Sequence, residues 1–167
     1  MTALSRYWLD ANVLIEANRI SYPYRLAKSF WMRLAEQVEL GKVVSPRRVF
    51  KEWVENEGHK DFVKDWVKVR EAQLSKRPEQ AVQDIVGAIG LYVFSNPQYD
   101  KYESWKFTDG GDPWVIAHAF VDKGTVVTLE SHLHPEARKP LIPDVCKKFE
   151  VRWVNTMAMF EELGITF

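Results

Sequence analysis

The sequence predicts an α/β protein in which a short parallel β-sheet is covered by helices on both faces. Short apolar or β-branched segments alternate with longer segments whose apolar residues recur every three or four positions, and this alternation is typical of βαβ units. A hydrophobic fraction of 46% and a charged fraction of 28% are ordinary for a globular protein. The length of 167 residues suits one domain, which we expect to span residues 1–167.

Four segments have the composition of buried strands. Residues 7–10 form an apolar run that ends in Asp10, residues 43–44 form a short second strand, and residues 151–154 form the last one. The β-branched residues 125–129 carry the clearest strand signal in the chain. The carboxyl ends of parallel strands meet at one edge of a sheet, where ligands bind in open α/β folds.

The helices nearest the N-terminus are predicted from apolar periodicity and from residues that start or stop a helix. Residues 12–17 form a short helix, and an amphipathic helix then begins after Pro23 and stops at Gly41. Ser45 as N-cap and Pro46 at the first helical position predict the start of the next helix.

The stretch from residue 45 to residue 95 is predicted to be an inserted helical region, because it departs from simple alternation. Its later helices are expected over residues 62–74 and from Pro78 to residue 93. Residues 96–107 have no clear period and are predicted to be a polar connection. The remaining helices are expected to begin with Asp112 as N-cap and Pro113 at the first position, to span residues 143–149, and to run from a Thr156 cap to residue 163.

Charge and cysteine content exclude several classes of protein. The 23 basic and 23 acidic residues balance, so bulk charge does not draw the chain to nucleic acid or membrane. The single cysteine excludes an internal disulfide and favours a reducing compartment. No apolar run approaches the roughly 20 residues of a membrane span, and no signal peptide is visible. We therefore expect a soluble cytoplasmic protein that has no membrane partner.

Four acidic residues map to the carboxyl-end edge of the predicted sheet. Asp10 ends the first strand, Asp112 starts a helix, Glu130 follows the 125–129 strand, and Glu52 lies one to two turns into the helix after the second strand. Carboxylates gathered at one place repel one another, and a divalent cation relieves that repulsion. Oxygen ligands alone favour Mg²⁺ or Mn²⁺. Taken singly, Asp112 also suits a helix cap, Glu52 a solvated helix position and Glu130 a loop.

Four segments in order resemble the motifs of PIN domains, which are Mg²⁺-dependent ribonucleases that include the toxins of the VapC type. The segments are residues 9–15 (Leu-Asp-Ala-Asn-Val-Leu-Ile), 49–52 (Val-Phe-Lys-Glu), 112–119 (Asp-Pro-Trp-Val-Ile-Ala-His-Ala) and 127–130 (Val-Thr-Leu-Glu). Residues 22–23, 30–31 and 142–146 resemble more particularly a PIN-like subfamily of bacterial and archaeal proteins. The resemblance implies a PIN-like three-layer α/β/α fold with a short central parallel sheet.

The resemblance also implies roles for single residues. Asp10, Glu52 and Asp112 match the metal-binding acids of the family, and Glu130 matches the last acid, which is more usually Asp. The extra methylene of Glu130 moves its carboxylate by roughly 1.5 Å, so this acid either acts through water or does not bind metal. The supporting positions are Asn12, a small polar residue beside the first acid, Thr128, the hydroxyl of the fourth motif, and Asp109, which is close enough in sequence to Asp112 to assist.

The function implied by this resemblance is hydrolysis of RNA phosphodiester bonds with Mg²⁺ or Mn²⁺, leaving 5′-phosphate and 3′-hydroxyl ends. The chain would be the toxin of a type II toxin–antitoxin pair. It would have a cognate antitoxin covering the acidic cleft and would form a homodimer through its helices between residues 45 and 95. A degenerate PIN-like module that binds RNA or protein without cleaving is the alternative, which Glu130 favours. A phosphatase or receiver domain with Asp10 as nucleophile is less well supported, because residue 12 is Asn and not Asp.

Basic residues are expected to hold the RNA substrate. The stretch from Lys42 to Arg77 contains ten basic and six acidic residues. Within it, Arg47, Arg48 and Lys51 lie on the same predicted helix as Glu52 and are predicted to bind RNA. A second set, Lys60, Lys64 and Lys68, is spaced to share one helix face that either meets RNA phosphate or is simply solvated.

Overall fold

A computed structural model describes residues 5–55, 62–130 and 132–166 of the protein. In this part of the chain the strands are β1 (Tyr7–Leu9), β2 (Val43–Pro46), β3 (Ser75–Lys76), β4 (Thr125–Val127) and β5 (Arg152–Val154). They form one sheet in the order β3-β2-β1-β4-β5, and every neighbouring pair is parallel. Because β1 is central, the chain first builds the sheet on one side of it and later on the other.

Helices fill the connections between these strands. They are α1 (Ala11–Glu16), which a π-helical turn (Ala17–Ser21) continues, α2 (Lys28–Glu39), α3 (Arg47–Glu55), α4 (Phe62–Val69), α5 (Glu71–Leu74), α6 (Gln80–Ser95), α7 (Lys101–Asp109), α8 (Asp112–Asp122), α9 (Ile142–Lys148) and α10 (Thr156–Glu162). None of the helices in the described ranges combines the length and the apolar composition that crossing a membrane requires.

The helices form a layer on each face of the sheet. On one face α8 lies against β1, β2 and β4, and α6 and α9 pack against α8. On the other face Phe30 of α2 stacks on Phe160 of α10 with ring centroids 4.9 Å apart, and Trp31 meets the edge of Trp66 of α4. This three-layer α/β/α arrangement confirms the predicted fold class.

The predicted helix start at Ser45 and Pro46 is wrong, because both residues belong to β2 and α3 begins at Arg47. Ser45 is fully buried, and its hydroxyl donates to the carbonyl of Leu9 in β1 at 2.9 Å instead of capping a helix. Pro46 pairs in register with Lys76 of β3. The two-residue strand β3 itself was not predicted, since so short a strand leaves no periodic pattern.

The predicted polar connection over residues 96–107 is also wrong, because it contains most of α7. Asp100 caps this helix by accepting a hydrogen bond from the Tyr102 N–H at 2.9 Å. Only Ser104 and Phe107 of α7 are buried, which leaves little apolar periodicity to detect. At the C-terminus the cap of α10 is Asn155 and not Thr156, since the Asn155 side chain accepts from the Ala158 N–H.

Candidate active site

The candidate site lies where the order of the strands reverses, between β1 and β4. β1 pairs with β2 on one side and with β4 on the other, so the connections that leave β1 and β4 diverge at their carboxyl ends. Such a switch point opens a crevice in parallel α/β folds. Asp10 follows β1 and Thr128 follows β4, so both lie at this crevice.

Asp10 is almost completely buried and is held by two hydrogen bonds. Its Oδ1 accepts from the Ala11 N–H at 2.7 Å, which caps α1, and its Oδ2 accepts from the Thr128 hydroxyl at 3.3 Å. Burial raises the pKa of Asp10 to about 7, and the negative charges of Glu130 and Glu52 add to this rise, while the two hydrogen bonds oppose it. A carboxylate in such a place favours a cation beside it.

Thr128 and Ile142 position Glu130. The buried Thr128 hydroxyl accepts a hydrogen bond from the Glu130 N–H at 3.2 Å, and so joins Glu130 to Asp10. The Glu130 carboxylate turns toward α9, where its Oε2 accepts from the Ile142 N–H at 2.8 Å. The Glu130 side chain, which is longer than the more usual Asp, is therefore hydrogen-bonded to the first turn of α9.

Asp112 is the first residue of α8. The position before it, Gly111, is the N-cap, and Pro113 is the second helical residue, so the predicted cap at Asp112 and first position at Pro113 are each wrong by one residue. The pKa of Asp112 is raised well above its usual range by burial of the carboxyl group and then by the negative charges of Asp10, Glu130 and Glu52. The four acids therefore lie close enough for their charges to act on one another.

Glu52 of α3 is half-buried and reaches the N-terminal end of α8. Its carboxylate lies beside the Gly111 backbone. Burial raises the pKa of Glu52, and the positive charge of Arg48 opposes that rise. A Cβ on Gly111 would lie 3.1 Å from the Glu52 Oε1 and 2.9 Å from a methyl carbon of Val49, so a residue with a side chain does not fit there without displacing Glu52 or Val49.

Two of the supporting residues lie at the rim. Asn12 is exposed on α1. Asp109 is exposed at the end of α7, and its main-chain carbonyl, not its carboxylate, accepts a hydrogen bond from Arg48. Thr128 is the one supporting residue that contacts two of the acids.

The donor types suit a hard divalent cation, but the side chains are farther apart than the ligands of one bound ion would be. All four acids offer only oxygen, which Mg²⁺ and Mn²⁺ prefer. Within residues 5–55, 62–130 and 132–166, however, no three His, Cys, Asp or Glu side chains are grouped closely enough to hold one ion. The structure thus brings the acids into one electrostatic cluster without closing them around an ion.

The predicted RNA-binding residues flank this cluster. Arg47, Arg48 and Lys51 are exposed on α3, and Arg48 lies one helical turn before Glu52. Of the second basic set, Lys64 and Lys68 belong to α4, whereas Lys60 lies outside the described residues.

Sequence reasoning did not single out Gly111 or the Ile142 N–H as parts of the site. The pair of glycines before Asp112 was a usable signal for close packing, whereas the partner of Glu130 twelve residues away was not readable from spacing. Cys146 of α9 is a free, buried cysteine. Burial and the nearby charges of Glu130 and Asp112 raise the pKa of its thiol, which stays protonated beneath the acids.

Comparison with known proteins gives one family and a fold. A family model described as "Domain of unknown function (DUF4411)" matches residues 7–167. The fold is similar to a chain in the crystal structure of VapBC2 from Rickettsia felis bound to a DNA fragment from their promoter, with a TM-score of 0.53 and 12% sequence identity over 89% of this chain and 97% of that one. No curated protein matches the sequence. The structural likeness supports a PIN-like fold.

Proposed function

We propose that this chain, which belongs to the DUF4411 family, is a Mg²⁺- or Mn²⁺-dependent endoribonuclease with a PIN-like fold. One observation carries the proposal. The acids are up to 120 positions apart in sequence but act on one another near the sheet switch point, where burial and the charges of the other acids raise the pKa values of Asp10 and Asp112. Perturbed carboxylates in a crevice are typical of a catalytic or metal site.

In this proposal the ion would lie among Asp10, Glu52 and Asp112, whose oxygen donors suit it although the described side chains are not grouped around one position. When bound, a divalent ion lowers the pKa of its water and neutralises charge on the phosphate oxygens. The protein supplies the orientation of the acids: Thr128 and the Ala11 N–H hold Asp10, and Glu52 lies against Gly111.

The remaining acids and Asn12 take supporting positions. Glu130 would act through water, because its carboxylate already accepts the hydrogen bond from Ile142. Asn12 and Asp109, both exposed, would border the substrate at the rim of the crevice.

A role as the toxin of a type II toxin–antitoxin pair in the cytoplasm is part of the proposal. The fold similarity to a chain of the VapBC2 structure supports it. Large apolar side chains that stay exposed around α2 offer a surface for an antitoxin, and others on α6 and α7 offer one for a second copy of the chain. The first set is Ile20, Leu26, Met32 and Val69, and the second is Leu91, Phe94, Tyr102 and Trp105.

Cleavage of structured RNAs in Mn²⁺ and in EDTA tests the nuclease proposal. Asp10→Asn and Asp112→Asn keep the side-chain shape but remove a charge from the site, and we expect each to lower the cleavage rate at least about 100-fold. Asp84→Asn is the matched control, because Asp84 is exposed on α6 and bonds only to Gln80 nearby. Full cleavage by either site variant, with circular dichroism showing a folded chain, contradicts the assignment.

A degenerate, non-cleaving PIN-like module is the second candidate function. The engagement of Glu130 by Ile142 and the open spacing of the acids favour it. Thermal unfolding with added Mn²⁺ separates the two candidates. An ion at 100 times its dissociation constant stabilises the fold by about 2.7 kcal/mol, or roughly 5–10 °C for a chain of this size. A nuclease shows this rise and Asp10→Asn lacks it, whereas a degenerate module shows none.

A further inference from the structure

Two neighbouring cavities form a groove along α8 that the acid cluster does not use. The first, of about 180 Å³, lies between the start of α3 and α8, and the second, of about 290 Å³, lies between β1, the start of α6 and the end of α8. His118 of α8 lines both, so the cavities meet there. We call this pair of cavities the α8 groove.

The α8 groove is strongly basic although the whole chain carries no net charge. Six basic residues line it against two acids, Glu79 and Asp122. Asp122 is already engaged, since it accepts hydrogen bonds from Arg6 at 2.8 Å and from the Trp8 indole. The basic residues are Arg47, Arg48 and Lys51 in the first cavity and Arg6, Lys76 and Arg77 in the second.

The concentration of positive charge acts on neighbouring groups. Burial lowers the pKa of Lys76, and the positive charge of Arg6 lowers it further. Burial and Arg6 likewise lower the pKa of His118 to about 4, so this imidazole stays neutral. An anion in the groove would relieve the repulsion between the cations.

Aromatic groups lie among these cations. Trp114, half-buried, lines the first cavity. His118 is 5% exposed and stacks on Trp8 with ring centroids 4.4 Å apart, and its buried Nε2 has no hydrogen-bond partner among the described residues. A basic groove with aromatic faces is the usual arrangement for binding single-stranded nucleic acid, whose phosphates pair with the cations while its bases stack.

The groove leads to the acid cluster. α8 carries Asp112 at its first position, Trp114 and His118 along the groove, and Asp122 at its end, a span of about 15 Å at 1.5 Å per residue. At the first cavity Arg48 donates to the Asp109 carbonyl, and its charge acts on Glu52. The first cavity therefore lies close to Glu52, and a strand in it would pass beside that acid.

We propose that the α8 groove binds single-stranded RNA, with phosphates on Lys51 and Arg77 and a base on Trp114, and presents the strand to the acid cluster. This inference rests on the proposed function, because it names the form of RNA and its path to that site.

RNA binding in EDTA tests the proposal without any cleavage. We would measure the anisotropy of a labelled ten-nucleotide single-stranded RNA over a range of salt concentrations, with Lys51→Ala, Arg77→Ala and the control Lys101→Ala, whose lysine is exposed on α7 away from the groove. Each groove variant should weaken binding about 3- to 10-fold and reduce the slope of log Kd against log salt by about 0.7, the value for one phosphate contact on a single strand. Lys101→Ala should change neither.

Trp114 provides an independent check of base stacking. Trp114→Leu should weaken binding roughly 10-fold, and Trp114→Phe should retain most of the affinity. An unchanged salt slope in both groove variants, an equal loss in Lys101→Ala, or displacement of the RNA by polyglutamate as readily as by unlabelled RNA overturns the proposal. Duplex RNA that competes better than the single strand also overturns it.

The experiments distinguish failure of the groove proposal from failure of the nuclease proposal. If Lys51→Ala and Arg77→Ala lose RNA binding while wild-type protein does not cleave in Mn²⁺, the groove assignment stands and the nuclease is wrong. If wild-type protein cleaves and both variants bind and cleave equally well, the groove assignment is wrong and the nuclease stands.

Discussion

The acid cluster and the α8 groove share helix α8, but they hold their charges in opposite ways. Asp10 and Glu130 each accept a hydrogen bond from a main-chain N–H, and Asp10 is buried. The cations on α3 are instead exposed. Buried like charges are costly and persist only where the fold orients them, whereas exposed cations cost little. The acids are therefore held by the fold, whereas the groove combines exposed cations on α3 with the half-buried Arg6 and Lys76.

The largest effect that tests this comparison is the pH dependence of stability in Asp10→Asn. Between about pH 4 and pH 7 the folded protein keeps a proton on Asp10 that the unfolded chain has lost, because the folded pKa is raised from 3.8 to about 7. Wild-type stability therefore falls as pH rises through this window, by at most about 4 kcal/mol at pH 8. Asn has no ionisable proton, so Asp10→Asn should be more stable than the wild type at pH 8. At pH 3 its free energy of unfolding should be no higher than that of the wild type.

Urea unfolding at pH 3, 5 and 8 in EDTA measures this difference. Asp84→Asn, an exposed position, should follow the wild-type pH profile. Parallel profiles for wild type and Asp10→Asn would mean that Asp10 does not carry the buried charge assigned to it.

A smaller effect is expected from Gly111→Ala, which tests how tightly the acid cluster is packed. The added Cβ would approach Val49 and the Glu52 carboxylate within 2.9 and 3.1 Å, so we expect a loss of about 1–3 kcal/mol of stability. Gly87→Ala on α6 is the matched control, because its Cβ would meet nothing within 4 Å and alanine favours an exposed helix by about 0.5–1 kcal/mol. Chemical denaturation should show opposite signs, and equal values would show that the space around Gly111 is not restrictive.

The smallest expected effect is that of Arg48, a groove residue, on Glu52 of the acid cluster. Removing its positive charge in Arg48→Ala should raise the pKa of Glu52, and the rise should be small because Arg48 is exposed. Stability should change by less than about 0.5 kcal/mol. An NMR titration of the Glu52 side-chain carboxyl measures the shift, with Arg47→Ala as the neighbour that should leave Glu52 unchanged. If Glu52 titrates identically in wild type, Arg48→Ala and Arg47→Ala, then the charge of Arg48 in the groove does not act on the acid cluster.

Much of the fold followed from local pattern. The apolar segments became β1 and β4, Gly41 with φ 76° follows α2 as expected of a helix-ending glycine, and the alternation of elements predicted the parallel sheet. The acids were placed at the correct edge because strand ends can be read from sequence and the ends of parallel strands share an edge. That placement is geometric, and the catalytic roles of Asp10, Glu52, Asp112 and Glu130 stay predictions.

The chain by itself therefore determined most of the strands and helices, though not β3 or α7, and which acids face one crevice, because periodicity and strand ends are local properties. Only the tertiary structure decided that Ser45 and Pro46 extend a strand, since the Leu9 carbonyl and β3 that pair with them come from distant segments. It also decided that Glu130 turns to the Ile142 N–H and that the basic residues of β3, α3 and the chain before β1 line one groove. These long-range contacts depend on which surfaces meet when the layers pack. The spacing of residues along the chain does not predict any one of them.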